Sequence, residues 1–345
     1  MKNSFKKLFT SLFTLAFIIT TPFAWGADTL LMNGAGATFP YPLYSKWFYE
    51  YQKKNPNVKF NYQSIGSGGG IQQILSKTVD FGASDAPMSD LELTKVKEPL
   101  LHIPTVLGAV VIAYNLPAVG TGLKLTGPII AEIFLGKITK WNDPQIVTIN
   151  PDKPLLNQPI LVVHRSDGSG TTYVFSDYLS KISRNWLVRA GTGKSINWPA
   201  GLGAKGNEGV TGLVKQTPGS IGYIELGYAV QNNLPVALVQ NKAGNFIEPN
   251  IASISAAAAE TKIPEDYRVS LTHPVGASAY PISSFTYLLV YERQPDHQKA
   301  KAFHDFLTWC FHEGQTMASP LHYAPLPSAV ITRLEKTTTK IGPLQ

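Results

Sequence analysis

The stretch GAVVIAYNL, residues 108–116, is apolar at alternate positions of both registers, so it reads as a strand buried on both faces. A second stretch of the same kind, SSFTYLLVYE at 283–292, follows far along the chain. Around them the signals alternate. VKFNYQSIG and PILVVHR read as strands, while IQQILSKTV and GPIIAEIFLG read as helices. HQKAKAFHDFLTWCFHEG sets Ala300, Phe303, Phe306, Leu307 and Cys310 at helical spacing. Strands alternating with helices predict an α/β fold. The 345 residues are enough for two domains, yet no internal repeat and no Pro- or Ser-rich linker divides them. Two long buried strands far apart in sequence then serve best as crossovers between two lobes, with a cleft between. The expected division is 27–113 plus 284–345 for the first lobe and 114–283 for the second.

Composition narrows the function. Hydrophobic residues make up 44% and charged residues 15%, a globular balance that argues against disorder. The N-terminus reads as a leader: Lys2, Lys6 and Lys7, then the apolar LFTSLFTLAFIITTPF, then small residues at Ala24 and Gly26. Cleavage is expected after Gly26, giving an exported chain. Residues 1–26 hold three lysines and no acid, so the formal charge of +7 falls by three to +4 on the mature chain. That mild excess lacks the Lys/Arg stripe of a nucleic-acid binder, though it would gently steer small anions. Cys310 is the sole cysteine, which leaves no intramolecular disulfide and no cysteine-based metal cluster. Ala27, not a cysteine, would stand at the new N-terminus, so lipid anchoring there is not expected. A Gram-negative-type periplasm is the simplest address.

Three segments share one pattern of strand, small-residue loop and helix start. They are GAGATFP around Thr38, IGSGGGIQQIL around Ser67, and RSDGSGTTYVF around Ser169. Each places a hydroxyl where it can cap a helix, and each offers unpaired backbone N–H groups to an anion. One such loop alone is ordinary capping. Three of them, with the planar charged fork of Arg165 and with Asp167 two residues on to hold it, make an anion cradle the better reading. Asp85, in FGASDAP, would repel a bare anion. It fits an anion that carries a proton, because an ionised carboxylate only accepts hydrogen bonds. Phosphate has such a proton near neutral pH and sulfate does not. The plainer reading of Asp85 is a loop cap before Pro87.

Catalytic and metal patterns fail on spacing. GTGKS (191–195) has Val188 where a phosphate loop needs glycine, and GAGATF lacks the third glycine of a dinucleotide fingerprint. His164, Asp167 and Ser169 suggest a triad, but His164 and Arg165 point to opposite faces of a strand. His304, Cys310 and His312 share a helix, and the H-E pair at 312–313 has Thr316 where a second histidine would be needed. Trp47, Trp141 and Trp198 read as core or lobe-packing residues. No metal and no cofactor is expected.

At these residues the chain resembles a known family. GAGATFP, IGSGGG, VDFGASDAPMSD, GKITKWNDP, RSDGSGTTYVF, WPAGLGAKGNEGV and PGSIGY occur in order between about residues 31 and 330. Together they are similar to the periplasmic phosphate-binding proteins of high-affinity phosphate ABC transporters. The resemblance implies a two-lobed, Venus-flytrap binding protein of the type II class, with phosphate in the cleft and membrane permease subunits as partners. It also implies a monomer with no enzymatic activity. Matched residue by residue, the family's ligand contacts fall on Thr38, Phe39 (through its backbone N–H), Ser67, Asp85, Arg165, Asp167, Ser169, Gly170 and Thr171. His164 and Ser166 depart from the family pattern beside the site. Two other readings compete: an exported phosphatase using Ser169 or Thr171 as nucleophile, and a binder of a different oxyanion.

Overall fold

The computed structural model describes residues 29–343. The expected leader and its cleavage point after Gly26 lie outside the described residues. Nine strands form the main sheet. They are β1 (Leu30–Gly36), β2 (Val58–Ser64), β3 (Phe81–Ser84), β4 (Leu100–Tyr114), β5 (Leu161–Arg165), β6 (Leu202–Ala204), β7 (Ser220–Glu225), β8 (Leu271–Thr272) and β9 (Ile282–Tyr291). Their order is β2-β1-β3-β9-β4-β7-β5-β6, with β8 paired to β9.

The stretch at 108–116 contains the turning point of this sheet. The earlier part of β4 pairs antiparallel with β9, as far as Ala109 opposite Ser283. From Val110 to Tyr114 the same strand pairs antiparallel with β7 instead, starting opposite Glu225. One strand therefore belongs to both halves of the sheet. The strand also starts earlier than its apolar run suggests, at Leu100. Polar residues and a proline disguise the first part. His102 is buried and its Nε2 accepts from the Met88 N–H at 3.0 Å. Pro104 has no N–H to give the ladder, and the register shifts there, leaving Thr105 between Pro104 and Val106 without a cross-strand partner. Thr105 shares a hydrogen bond with the Tyr44 hydroxyl at 2.8 Å.

Parallel strands with intervening helices flank this seam. β1 runs parallel to β2 and β3, and β5 parallel to β6 and β7. Helix α1 (Tyr41–Lys54) starts with Pro42 in its first turn and buries Leu43, Tyr44, Trp47, Phe48 and Tyr51 at helical spacing. Helices α2 (Ser67–Leu75), α3 (Gly170–Ile182) and α4 (Gly206–Gln216) follow β2, β5 and β6. Helix α5 (His297–Phe311) turns Phe303, Phe306 and Cys310 inward, and the Phe306 ring lies 4.2 Å from that of Phe60. Burying a side chain of that size contributes roughly 1.5–3 kcal/mol, so this aromatic layer anchors α5 to the sheet. Cys310 faces the core, whereas His312 is exposed and pairs with Glu335 at 2.8 Å. Trp47 and Trp141 are fully buried. Trp198 stacks on His164 at 4.7 Å, on the opposite side of β5 from the Arg165 side chain.

Two of the three expected helix caps do not form. Ser169 does cap α3, accepting from the Thr172 N–H at 3.0 Å. Ser67 is instead the first residue of α2, and the cap position is Gly66 at φ 87°, a left-handed conformation that favours glycine. Before α1 the cap position is Pro40, with no side-chain cap bond. The hydroxyls of Ser67 and Thr38 instead accept from the Asp85 N–H and from Asn207.

Candidate functional site

Parallel strands end on the same side, so β1, β2 and β3 deliver the loops carrying Thr38, Ser67 and Asp85 to one place. β5 ends at Arg165 and delivers Asp167, Ser169, Gly170 and Thr171. The two loop clusters meet. The Gly68 N–H donates to the Gly168 carbonyl at 2.8 Å, and these glycines sit so close that a Cβ on Gly168 would lie 3.1 Å from the Gly68 Cα. A Cβ on Gly170 would lie 2.4 Å from Ser67 Oγ and 2.6 Å from Asp85 Oδ2. Glycine at 170 therefore lets the start of α3 approach the Asp85 side.

Asp85 is buried, 1% exposed. Thr286, on β9, donates its hydroxyl to Oδ1 at 2.8 Å, and Ser67 Oγ approaches Oδ2 at 3.4 Å. The Asp85 N–H in turn donates to Ser67 Oγ at 3.2 Å, which is why that hydroxyl does not cap α2. Burial pushes the Asp85 carboxyl up to about 7; the Thr286 hydroxyl, the Arg165 charge and Ser67 pull against it.

Arg165 is also buried, and its backbone N–H donates to the Tyr223 hydroxyl at 3.0 Å, fixing the end of β5. Its fork makes two bonds to Asp167, Nε to Oδ1 at 2.7 Å and Nη2 to Oδ2 at 2.5 Å. The Gly206 N–H adds a bond to Asp167 Oδ1 at 3.1 Å. Burial alone would raise Asp167, but the Arg165 fork outweighs it and holds this carboxyl below its usual range. Arg165 Nη1 remains directed at Thr171 Oγ1, at 3.3 Å.

The structure thus gathers all nine sequence-predicted residues in one buried region, by side chain or by backbone. Phe39 contributes backbone only: its ring is fully buried, 6.4 Å from that of Tyr323, and among the described residues its N–H has no protein acceptor. The Tyr323 hydroxyl donates to the Phe39 carbonyl at 2.6 Å, and the Tyr228 hydroxyl donates to that of Thr38 at 2.6 Å. Sequence reasoning missed Thr286, Asn207, Tyr228, Tyr323 and Glu225. Two of them carried a usable signal: Asn207 opens a helix just after a glycine, and Glu225 interrupts the apolar SIGYIEL. Glu225 is fully buried, and burial pushes its carboxyl up to about 8.

The fold is the two-domain α/β architecture of periplasmic binding proteins, and residues 24–311 match the PBP superfamily domain. The phosphate-binding protein PstS of Haemophilus influenzae is 48% identical over 319 residues, covering 92% of this chain and 94% of that protein. The PstS of Xylella fastidiosa is 46% identical over 319 residues (92% and 87%), and that of Methanocaldococcus jannaschii is 43% identical over 322 residues (86% and 82%). The chain belongs to this family of PstS phosphate-binding proteins. Among solved structures, a high-affinity periplasmic phosphate-binding protein (PfluDING) with phosphate bound is 23% identical with a TM-score of 0.73, covering 92% of this chain and all of that one.

Proposed function

We propose that this chain binds inorganic phosphate between its lobes and delivers it to the permease subunits of an ABC importer. Phosphate is bound by Thr38, the Phe39 N–H, Ser67 and Asp85 from the first lobe, and by Arg165, Ser169, Gly170 and Thr171 from the second, with Asp167 holding Arg165. The lobes are 27–113 plus 284–345 and 114–283. Support for that division comes from the change of partner along β4, at Ala109 and Val110. The mature chain, cleaved after Gly26 and not lipidated, works in the periplasm as a monomer and turns nothing over.

One observation carries the reading: a buried carboxylate, Asp85, among hydroxyls, helix-start N–H groups and a buried arginine. Such a set suits an oxyanion that accepts many hydrogen bonds and donates one. Bound phosphate touching both lobes would favour their closure by its differential affinity for the closed form. The family's PstS members carry phosphate in their names, which supports the same ligand. Titration calorimetry of the mature chain, stripped of endogenous ligand, is expected to give tight one-to-one phosphate binding. No binding heat and no competition, or steady hydrolysis of a generic phosphomonoester, would contradict the proposal.

A further inference from the structure

Asn207 stands at the start of α4, fully buried, where both loop clusters meet. Its hydrogen bonds fix which way its amide points. The Glu225 N–H donates to Oδ1 at 3.0 Å, so the oxygen faces β7 and the NH2 group faces the cradle. That group has two hydrogens. One goes to Thr38 Oγ1 at 2.8 Å, the other to Thr171 Oγ1 at 3.1 Å. The Asn207 backbone N–H donates to Thr38 Oγ1 as well, at 3.2 Å.

A hydroxyl oxygen has two lone pairs and one hydrogen. Thr38 Oγ1 accepts twice, both times from Asn207. Thr171 Oγ1 accepts from Asn207 and from Arg165 Nη1. Both oxygens are therefore filled as acceptors, and only the O–H function remains. Among the described residues neither hydroxyl donates to a protein acceptor. Left to themselves, hydroxyls rotate and can present a lone pair to a ligand. Here that choice is removed from two of them, one on the loop after β1 and one in the first turn of α3.

We propose that Asn207 is a positioning residue that sets the polarity of the cradle. It holds Thr38 and Thr171 as obligate donors, one in each lobe, so that both must point a hydrogen at an acceptor. This rests on the phosphate reading above and deepens it. Asp85 supplies the acceptor for the ligand's own hydrogen, and Asn207 ensures that the two threonines do not compete for that hydrogen. The same amide ties the lobes, because its two hydrogens reach one side chain in each.

The test is a mutant cycle read by phosphate titration. Asn207→Leu keeps the shape but removes both side-chain donors, along with the acceptor of the Glu225 N–H, a loss that falls equally on every background; it should weaken phosphate binding about tenfold. Asn207→Asp presents a carboxylate that the threonine hydroxyls would turn towards, and the loss should grow to roughly a hundredfold or more. In a chain already carrying Thr38→Val and Thr171→Val, Asn207→Leu should add less than about twofold, because the groups it acts through are gone. A purely structural role would carry the full loss into that background, and this outcome would overturn the proposal. So would Asn207→Leu binding as tightly as the parent. If Asn207→Leu does not fold, Asn207→Ser, whose hydroxyl can still take the Glu225 N–H, is measured in both backgrounds with the same criteria. A parent chain that binds no phosphate brings down the functional reading and this inference with it. A parent that binds, with Asn207 variants unchanged, brings down the inference alone.

Discussion

Asp85 has Oδ1 committed to the Thr286 hydroxyl, while Oδ2 has only a long contact with Ser67 Oγ. Its carboxyl is lifted from 3.8 to about 7, chiefly by burial, and this has a consequence for stability. Between those values the folded chain holds a proton that the unfolded chain has lost. Stability therefore falls as pH rises from about 4 to about 7, by up to about 4 kcal/mol. Glu225, lifted by burial to about 8, acts in the same direction over a slightly longer window. The melting temperature of the ligand-free chain should decline from pH 5 to pH 8, and Asp85→Asn should flatten part of that decline. Parallel curves for the two chains would show that Asp85 is not destabilised by ionisation. At this scale Asp85 was legible, because a carboxylate in a run of small residues before Pro87 demands an explanation. Asn207 was not, since its role depends on meeting Thr38, 169 residues away in sequence. Thr286 was hidden for a related reason: inside SSFTYLLVYE it counts only as part of a buried strand.

Among the elements, the first turn of α2 and the loop into α3 come into direct contact. Gly68 and Gly168 touch backbone to backbone, and a Cβ on Gly66 would fall 2.4 Å from Asp167 Oδ2. Gly168→Ala should therefore hold the two loops apart and weaken phosphate binding by about tenfold, roughly one lost interlobe hydrogen bond, with little change in the ligand-free melting temperature. An unchanged dissociation rate in stopped flow would mean that this contact does not limit closure. The strands and longer helices were readable because their apolar periodicity runs for two turns or more, as in α1 and α5. The part of β4 before Gly108 was not, because His102, Pro104 and Thr105 break the apolar run, and the side chains of His102 and Thr105 are satisfied by Met88, Tyr44 and Thr286, all outside β4. Short pieces were also lost. The helices Arg184–Arg189 and Leu226–Gln231, and the small sheet of Lys124–Leu125, Leu238–Gln240 and Phe246–Ile247, are too brief for a period to show. The capping roles expected of Thr38 and Ser67 were overridden because each hydroxyl found a tertiary partner.

Across the whole molecule, ion pairs at the rim add to the contacts at the cradle. Lys194 pairs with Glu92 at 2.7 Å, and Arg268 with Asp90 at 2.7 Å. Glu92 also closes a capping box with Ser89, so the short helix Asp90–Leu93 is tied to Lys194 through its own cap. The Lys194–Glu92 pair is partly solvated, so it contributes at most about 1 kcal/mol and is screened by salt, while Asp90 is exposed and its pair contributes less. Lys194→Ala should speed phosphate release about threefold at low ionic strength and hardly at all in molar salt. Equal effects in both would point to packing in place of charge. At the cradle the proposed selectivity is chemical: the Asp85 carboxylate would accept a hydrogen that the ligand must bring. Titrating the stripped chain and its Asp85→Asn variant with phosphate and with sulfate near pH 8, above the raised value of the parent carboxyl, decides the matter. The parent should bind phosphate at least roughly a thousandfold more tightly than sulfate, and the variant, whose amide can donate, should lose much of that preference. Sulfate binding to the parent as tightly as phosphate, or an unaltered preference in the variant, would contradict it.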